Sequence, residues 1–400
     1  MKNLPKIIER ISKKLSSQNA KIILVGGSVR DYYLNLPIKD YDLEVYGVSS
    51  LEKLELLLSE YGDVNLVGKS FGVLKLNYNG EVYDFSSPRK ENKIGIGHRG
   101  FEIEIDNSLS FKEASKRRDF TINAMGYDIE KDIFLDPYKG LEDIQNRKLK
   151  HIDDITFIED ALRVYRAVQF CARFEFQLDK NSFELCYKMV KDGSLETVSK
   201  ERVFDEFSKL LLKAKKPSIG FNLMQKLGIF KYFSELDKVN FQDLDYKNCT
   251  LTFMYVLLLQ NLGSKQAKSF LYKITNNHKF IKEITLFIEY YKIASDFFKN
   301  DAKDVDIKKL ATKINISDLT TVSKYFDATA SAWLLQKAKI LHVDKAPLEY
   351  AIKGKDLINI GLQQSPKFKN ILDDLYDMQL DGIICGEDEI MRVAQKHSHI

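Results

Sequence analysis

Residues 25–47, "VGGSVRDYYLNLPIKDYDLEVYG", combine two features that decide the fold. Gly26 and Gly27 directly follow the apolar run "KIILV", and Asp40 and Asp42 stand at the start of the alternating segment "YDLEVYG". The first segment predicts a buried strand that ends in glycines before a short helix, and the second predicts another strand. Glycines at such a turn let the backbone approach a phosphate, and paired carboxylates indicate a divalent metal.

The glycine turn is the first candidate site. The N-terminus of the helix that follows it presents unpaired N–H groups, which favour a phosphate. Ser28 adds a hydroxyl and Arg30 a guanidinium that can contact the same phosphate. A plain strand-to-helix turn is the alternative, since the pattern is not the G-x-G-x-x-G of dinucleotide sites. From the glycines, the helix N-terminus and the two polar side chains together, we predict that Gly26, Gly27, Ser28 and Arg30 bind a nucleotide.

The two aspartates form the second candidate site. Residues i and i+2 of a strand point to the same face, so Asp40 and Asp42 are predicted to lie side by side and to bind Mg²⁺. A pair of such metals can clamp the attacking and leaving oxygens of a phosphoryl transfer. Asp84, in "VYDFSS", is a candidate third catalytic carboxylate from a neighbouring strand. A solvated acidic edge is the alternative.

Two further clusters follow along the chain. In "RRDFTINAM", residues 117–125, Arg118 is a candidate for triphosphate binding, and Asp119 and Asn123 are candidates either for hydrogen bonds to a ribose or for orienting the site. A surface charge cluster is the alternative there.

The second cluster lies in "EDALRVYRAVQFCAR", which reads as a helix with Asp160, Arg163 and Arg166 along one slowly turning side. Asp accepts and Arg donates, as is needed to read the edge of a base. Cytosine and adenine each offer an amino donor beside a ring-nitrogen acceptor, whereas in U and G these groups are reversed. A merely salt-bridged helix is the alternative.

Composition sets the broad class. The 400 residues are 44% hydrophobic and 30% charged with a net charge of +4, which fits a folded chain of several domains and argues against disorder. None of the four cysteines forms a C-x-x-C pair, so neither zinc nor a disulfide framework is expected, and a reducing cytoplasm fits. The N-terminus lacks the apolar core of a signal peptide, and the longest apolar run is far shorter than the roughly 20 residues that span a bilayer. No membrane association is therefore expected.

The pattern of elements changes near residue 140. Before it, helices are predicted over 4–17 and 50–60, and strands over "VNLVG", "FGVLKLNYNG", "EVYDFSS" and "FEIEI", with Asn79-Gly80 as a turn. The stretch 88–100, "PRKENKIGIGHRG", is polar, glycine-rich and aperiodic and predicts a flexible loop. Beyond residue 140 apolar residues recur at helical spacing. We predict an α+β catalytic head over 1–140, a helical neck over 141–215 and a helical body and tail over 216–400.

Six motifs in order carry a family resemblance: "GGSVRD", "DYDLEV", "RRDFTINAM", "DPYKGLEDIQNRKL", "EDALRVYRAVQFCARF" and "SKERVFDEFSKLL". Over residues 20–212 the chain resembles the class II tRNA nucleotidyltransferases, the CCA-adding enzymes of the polymerase-β nucleotidyltransferase superfamily. The resemblance implies a polymerase-β-like head with a mixed sheet, CTP and ATP as substrates and tRNA as partner. It also implies that Asp40 and Asp42 bind the metals, that Gly27, Arg30 and Arg118 contact the nucleotide, and that Asp160 and Arg163, with Arg166 nearby, select the base.

The chain departs from the family pattern at Gln169, where the family often has a third arginine. No His-Asp dipeptide occurs, so the hydrolase domain of some relatives is not expected. Basic residues such as Lys209, Lys213, Lys215 and Lys216 are candidates for RNA phosphate contacts, although a solvated helix face explains them equally well. An A-adding or CC-adding enzyme, a poly(A) polymerase and a non-catalytic RNA-binding protein remain alternatives. The intact Asp-x-Asp argues against the last of these.

Overall fold

A computed structural model describes residues 1, 4–67, 72–93, 101–245, 249–359, 367–384 and 387–397. By their contacts these residues divide into two compact units. One unit comprises Met1–Met254 with Phe270–Asn276, and the other comprises Tyr255–Ser269 with Asn277–Ile400. The boundaries predicted at residues 140 and 215 fall inside the first unit and stay predictions.

A mixed sheet forms the centre of the head. The strands are β1 Lys21–Val25, β2 Tyr41–Tyr46, β3 Asp63–Val67, β4 Val73–Tyr78, β5 Glu81–Ser86, β6 Arg89–Lys93, β7 Phe101–Ile105, β8 Gly126–Asp128, β9 Ile133–Leu135, β10 Lys148–Leu149 and β11 Gln177–Leu178. Among the described residues, seven strands join in the order β3-β4-β5-β2-β1-β8-β9. Only β2 and β5 pair in parallel within this sheet, and the other neighbours are antiparallel. The predicted mixed sheet is confirmed.

The central strands follow from their side chains. Ile22, Ile23 and Leu24 of β1 are fully buried, as expected of an apolar run that has a neighbour on each side. Asn79 and Gly80 connect β4 to β5 with φ angles of 50° and 82°. Positive φ at both positions is the geometry of a two-residue hairpin turn, so the predicted turn is confirmed.

The stretch 88–100 departs from its prediction. Arg89–Lys93 is strand β6, which pairs antiparallel with β7 from Arg89 opposite Ile105 to Lys93 opposite Phe101. The prediction of a loop was therefore wrong for these five residues. A strand that pairs through its backbone needs no apolar periodicity of its own, and the neighbouring segment supplied the partner. Residues 94–100 lie outside the described residues.

Helices make up most of the remaining chain. Their bounds are α1 Lys6–Ser16, α2 Gly27–Tyr33, α3 Leu51–Leu58, α4 Phe111–Ser115, α5 Gly140–Gln145, α6 Asp154–Ile158, α7 Leu162–Phe174, α8 Lys180–Lys191, α9 Lys200–Lys213, α10 Pro217–Lys226, α11 Leu251–Leu259, α12 Gly263–Ile274, α13 His278–Tyr290, α14 Ile293–Lys299, α15 Asp304–Ala311, α16 Ile316–Ser323, α17 Ala328–Ile340, α18 Gly354–Asn359, α19 Lys367–Leu380 and α20 Glu387–His397. Short 3-10 turns occupy Thr121–Asn123, Ser194–Thr197, Ile229–Tyr232, Ser234–Lys238 and Phe241–Leu244. The predicted helical character beyond residue 140 is confirmed. In the part of the chain that the structure describes, no helix is both long and apolar enough to cross a membrane.

Helix α7 is held rigidly by the helices around it. It packs against α9 and α10, and Tyr165 of α7 lies 6.3 Å from the ring of Phe207 in α9. Gly220 of α10 permits the close approach, because a Cβ there would lie 2.5 Å from Leu210 and 3.2 Å from Ala172. Phe207 is 2% exposed, and truncating such a side chain to alanine costs about 3–5 kcal/mol. The polar side of α7 is therefore presented from a fixed support.

The second unit has a core of its own near its C-terminal end. Ile352, Leu357, Leu375, Ile384 and Ile390 are buried there together. These residues come from α18, α19, α20 and their connections. The helices at this end of the chain thus pack around a hydrophobic cluster of their own.

Candidate functional site

The Gly-Gly turn joins β1 to α2. Gly26 has φ 69° and ψ −125°, a conformation that residues with a side chain rarely adopt. A Cβ at Gly26 would lie 2.8 Å from Nη1 of Arg118. The glycine therefore lets the Arg118 guanidinium lie directly against the backbone of the turn.

Ser28 has a different place from the one predicted. Its hydroxyl donates to the Asp40 carbonyl oxygen at 2.8 Å and accepts from the Asp42 N–H at 3.3 Å. The side chain is buried. Ser28 thus fixes the entry of β2 relative to α2, which positions the two aspartates, and its contact with a nucleotide stays a prediction.

The three predicted catalytic carboxylates lie at the start of β2 and on its neighbour β5, two central strands of the sheet, and this group is called the carboxylate edge below. Asp40 stands one residue before β2, and Asp42 lies within it. Asp84 of β5 pairs in parallel register with Asp42, so the two side chains lie on the same face of neighbouring strands. Lys75 Nζ lies 3.4 Å from Asp84 Oδ1. The sequence-predicted neighbour-strand position of Asp84 is confirmed, and its catalytic role stays a prediction.

These carboxylates raise each other's affinity for a positive charge. The protein packed around Asp42 raises the pKa of its carboxyl, although one side of the residue stays open to solvent. The charges of Asp84 and Asp40 raise that pKa further, and Arg118 opposes them. A cation bound here would relieve the repulsion among the three carboxylates.

The donor set fits a metal that is shared with a ligand. Within the described ranges, no group of three or more His, Cys, Asp or Glu side chains is arranged to hold a metal ion by itself. Mg²⁺ commonly takes only one or two carboxylates, with substrate phosphates and water completing its shell. Asp84 Oδ1 is buried and has no hydrogen-bond partner. Asp40 and Asp42, with Asp84 beside them, therefore fit a divalent cation completed by phosphate oxygens.

A cavity of about 430 Å³ opens beside this edge. Ser28, Asp40 and Asp84 are not among the residues of its wall. The wall is formed by Gly26, Gly27, Arg30, Asp42, Arg117, Arg118, Asp119, Asn123, Asp160, Leu162, Arg163, Arg166 and Arg202. The tertiary structure thus brings together most of the predicted nucleotide-binding residues, which come from segments far apart in the sequence.

Arg30 is a buried cation in this wall. Its Nη1 donates to Asn123 Oδ1 at 2.6 Å, and its Nε donates to Asp31 Oδ1 at 2.8 Å. The guanidinium also lies over the rings of Phe170 and Phe174, at 5.3 and 4.9 Å from their centroids. Burial lowers the Arg30 pKa and the Asp31 charge opposes that effect. An arginine stays charged under such a shift, so the wall carries a fixed positive charge.

Asp119 connects the head to α7. Its Oδ1 accepts from Phe120 N–H at 2.8 Å and from Asn123 Nδ2 at 2.9 Å. Its Oδ2 accepts from Arg166 Nε at 2.7 Å. Burial opposes ionisation of Asp119, but the charge of Arg166 and the hydrogen bond from Asn123 outweigh it and lower the pKa. Asp119 and Asn123 thus hold the wall together, and their predicted contact with a ribose stays a prediction.

The predicted base-selecting residues are arranged differently from the prediction. Helix α7 begins at Leu162, so Asp160 lies before the helix and accepts from Leu162 N–H at 3.1 Å. The prediction of a single helix through Asp160, Arg163 and Arg166 was wrong, because an aspartate side chain competes for the free N–H groups at the start of a helix. Arg163 donates to the backbone carbonyls of Thr156 and Arg117 instead of pairing with Asp160.

Asp160 pairs with a residue that was not predicted. Arg202 of α9 donates to both of its oxygens, with Nη1 3.1 Å from Oδ1 and Nη2 2.7 Å from Oδ2. Arg202 lies in the recognised motif "SKERVFDEFSKLL", but no local spacing links it to Asp160. Glu44 was also missed. It is buried, with its Oε2 3.3 Å from Arg118 Nη2 and 4.0 Å from Arg117 Nη2.

Gln169 occupies the position where the sequence departs from the family pattern. It is 2% exposed, its Nε2 has no hydrogen-bond partner, and it is not among the residues lining the cavity. The departure therefore concerns the packing of α7 and leaves the cavity wall itself intact.

Comparisons with known proteins match two parts of this chain to family models and nearly all of it to one relative. Residues 22–150 match the family described as "Poly A polymerase head domain" and residues 175–239 match "Probable RNA and SrmB- binding site of polymerase A". A CCA-adding enzyme of Blochmanniella floridana is 32% identical over 413 residues, covering 94% of this chain and 95% of the relative.

Other relatives match over a shorter stretch. A CCA-adding enzyme of Buchnera aphidicola is 38% identical over 47% of this chain and 43% of the relative. A multifunctional CCA protein of Haemophilus ducreyi is 37% identical over 55% of this chain and 52% of the relative. The chain spans about half the length of these two relatives.

Solved structures share the fold. The Bacillus stearothermophilus CCA-adding enzyme in complex with CTP superposes with a TM-score of 0.74 at 21% identity, covering 99% of this chain and 98% of the other. The Thermotoga maritima CCA-adding enzyme complexed with tRNA gives 0.59 at 21% identity, covering 99% and 96%. These structures show the shared fold, and the near full-length similarity to the Blochmanniella protein shows that the chain belongs to the family of CCA-adding enzymes.

Proposed function

We propose that this chain adds C, C and A to the 3′ end of tRNA, using CTP and ATP and releasing pyrophosphate. The observation that carries the proposal is one cavity wall that holds Asp42, Arg30 and Arg118 together with Asp160 and Arg163. The first three suit a metal-bound triphosphate, and the last two suit the edge of a base. The relatives and solved structures, including those named for CTP, ATP and tRNA, support the same reading.

The catalytic edge is proposed to use Mg²⁺. Asp40 and Asp42 would hold the metal, with Asp84 as the third carboxylate beside them. A metal held there would supply Lewis-acid chemistry, favouring ionisation of the primer 3′-hydroxyl and release of pyrophosphate. Ser28 keeps Asp40 and Asp42 in place by bonding the backbone of both residues.

The triphosphate is proposed to lie along the Gly-Gly turn. Gly26 and Gly27 have no side chain to block the approach of its oxygens, and both line the cavity. Arg118 lies against that turn, and Arg30 is fixed behind it by Asn123 and Asp31. Because these cations are already ordered by protein contacts, little side-chain entropy is lost when phosphates bind.

Base choice is proposed to come from protein side chains instead of a nucleic-acid template. The Asp160 carboxylate accepts from the amino group of C or A, and the Arg163 guanidinium donates to the neighbouring ring nitrogen. U and G present the reverse order of donor and acceptor, which would leave buried groups unpaired. One wall can thus accept both correct nucleotides.

The proposal also covers organisation and location. Residues 1–140 would carry the chemistry, 141–215 base selection, and 216–400 the contacts with tRNA.

Cys171 and Cys186 are free thiols, and burial raises the pKa of each. Buried free thiols suit a reducing compartment, so we place the protein in the cytoplasm.

A poly(A) polymerase is the second candidate, because the family matched over residues 22–150 carries that name. One experiment separates the two. The protein is incubated with Mg²⁺, each labelled triphosphate and tRNAs that end before the first C, after one C and after two.

We expect two C residues and then a single A, with no further addition. Unlimited A addition would establish the poly(A) reading, A or C alone would establish a partial CCA activity, and no addition at all would overturn the proposal. Asp42→Ala is the negative control for the chemistry.

A further inference from the structure

The orientation of Asp160 is set by a contact from another helix. A carboxylate that reads a base must present one oxygen in a fixed direction, because a hydrogen bond weakens steeply when misaligned. Asp160 lies before α7, and its backbone carbonyl accepts from the Arg163 N–H at 3.0 Å. That bond does not fix the direction of the carboxylate, which must be held by contacts of its own.

Arg202 meets that requirement. Its two Nη atoms contact the two oxygens of Asp160 at 3.1 and 2.7 Å, the forked geometry that restricts a carboxylate most strongly. Arg202 also lines the cavity. Arg163, the nearer candidate in sequence, donates to the carbonyls of Thr156 and Arg117 instead of to Asp160, and its remaining N–H groups can still donate to a base.

The bonds distinguish the two oxygens of Asp160. Oδ1 accepts from Leu162 N–H and from Arg202 Nη1, so both of its lone pairs are used. Oδ2 accepts from Arg202 Nη2 and keeps one lone pair. Oδ2 is thus the oxygen that remains available to the amino group of a base.

The next turn of α9 carries a second charged side chain that lies near a charged residue of α7. Glu206 lies four residues after Arg202, so both project from the same side of the helix. Its Oε1 lies 4.0 Å from Arg166 Nη1. Helix α9 therefore places a countercharge beside Asp160 and another beside Arg166.

We propose that Arg202 is a positioning residue for base selection, which holds Asp160 so that only Oδ2 is presented to the base. The proposal rests on the proposed function, because it assumes that Asp160 reads the nucleotide. Arg202 also keeps the carboxylate ionised: burial opposes ionisation, but the hydrogen bonds and charge of Arg202 outweigh it and lower the Asp160 pKa. An ionised carboxylate can only accept, which is what an amino group requires.

Three variants test this role. Arg202→Gln removes the charge and the fork, and Arg202→Lys keeps the charge but offers a single point of contact. Lys200→Gln is the matched control, because it removes one positive charge from the same helix. Lys200 is exposed, donates to the Tyr272 carbonyl at 2.7 Å and is not a cavity residue.

Affinity for each of the four triphosphates is measured first, with Mg²⁺ and without RNA. We expect the unmodified protein and Lys200→Gln to prefer CTP and ATP over UTP and GTP. In Arg202→Gln this preference should fall roughly tenfold or more, because the acceptor direction is lost. Arg202→Lys should give an intermediate value, and it decides the question if Arg202→Gln does not fold.

The same variants are then tested for incorporation of each nucleotide into tRNA. Unchanged preference in both Arg202 variants, or equal loss in Lys200→Gln, would overturn the positioning role. Failure of the unmodified protein to extend tRNA would overturn the proposed function alone, since the binding ratios are measured without RNA.

Discussion

The carboxylate edge of the sheet and the wall formed with α7 lie beside the same cavity, yet they treat their aspartates in opposite ways. At the edge, the Asp42 pKa is raised, and Asp84 keeps a buried oxygen without a hydrogen bond. In the wall, the pKa values of Asp119 and Asp160 are lowered by arginine partners and hydrogen bonds that outweigh burial. At the first site the folded environment disfavours the charge of Asp42, whereas in the wall it favours the charges of Asp119 and Asp160.

The difference teaches what each region still needs. A carboxylate set that repels itself is completed by a cation that arrives with the substrate. Carboxylates that are already held by arginines are rigid, and this rigidity lets them discriminate between ligands. Each prediction below tests one side of this contrast, in order of decreasing expected effect.

Replacing Asp42 by alanine should lower C and A addition alike by about three orders of magnitude or more, because every round uses the same metal site. Stability should stay equal or rise, since the raised pKa of Asp42, caused first by burial, means that the fold disfavours its charge. Asp63→Ala, at an exposed position at the start of β3, is the control and should keep its activity. Single-turnover incorporation and thermal unfolding measure both effects. Near-normal rates in Asp42→Ala would contradict the assignment of these carboxylates as the metal site.

Replacing Asp160 by alanine should change the choice of base more than the chemistry. We expect U and G incorporation to rise relative to C and A by roughly tenfold to a hundredfold, since a correct base loses its acceptor. Incorporation of each of the four triphosphates into tRNA lacking CCA measures the ratios. A uniform loss with unchanged ratios would show that the paired wall only supports the fold.

Arg163→Ala should relax the choice of base in the same direction. It should also lower stability, because the carbonyls of Thr156 and Arg117 lose their donor. The four-nucleotide assay and denaturant unfolding measure the two effects. Unchanged ratios in this variant alone would leave base reading to Asp160.

Replacing Asp119 by asparagine should destabilise the fold by about 1–3 kcal/mol at pH 7. The folded-state pKa of Asp119 is lowered, so the stabilisation is fully present above about pH 4 and is lost as pH falls through that lower value. The difference from the unmodified protein should therefore shrink in acid. For Asp143→Asn, the stability of the unmodified protein relative to the variant should instead increase in acid, because burial raises the Asp143 pKa. Urea unfolding across pH gives both trends, and parallel trends would contradict the assignment.

Alanine at Gly26 and at Gly80 forms a matched pair. Both glycines have positive φ, 69° and 82°, so each change should lower stability, by about 1 kcal/mol at Gly80 and by more at Gly26, whose ψ of −125° is less accessible to alanine. A Cβ at Gly80 meets nothing within 4 Å, whereas at Gly26 it would displace Arg118. Only Gly26→Ala should weaken binding of all four triphosphates, and equally for each. Equal affinities in the two variants would remove the Gly-Gly turn from the nucleotide site.

The chemistry-bearing residues could be found from local sequence because each motif is contiguous. Gly26 and Gly27 follow an apolar strand, and Asp42 opens the next one, so composition and period 2 were sufficient. Asp84 could be named as a candidate because it falls within a strand-like run, but its register beside Asp42 was decided by the pairing of β5 with β2. Family membership added the expectation that these segments meet.

Pairings between distant segments could not be found in this way. Arg202 is 42 residues from Asp160, and only the packing of α9 against α7 brings them together. Neighbours in space likewise decided that β6 pairs with β7 and that α7 begins after Asp160. They also decided that the Ser28 hydroxyl bonds to the backbone just before β2. Local spacing determines which groups are available, but a polar side chain takes the partner that burial leaves within reach, and that partner is chosen by the tertiary structure.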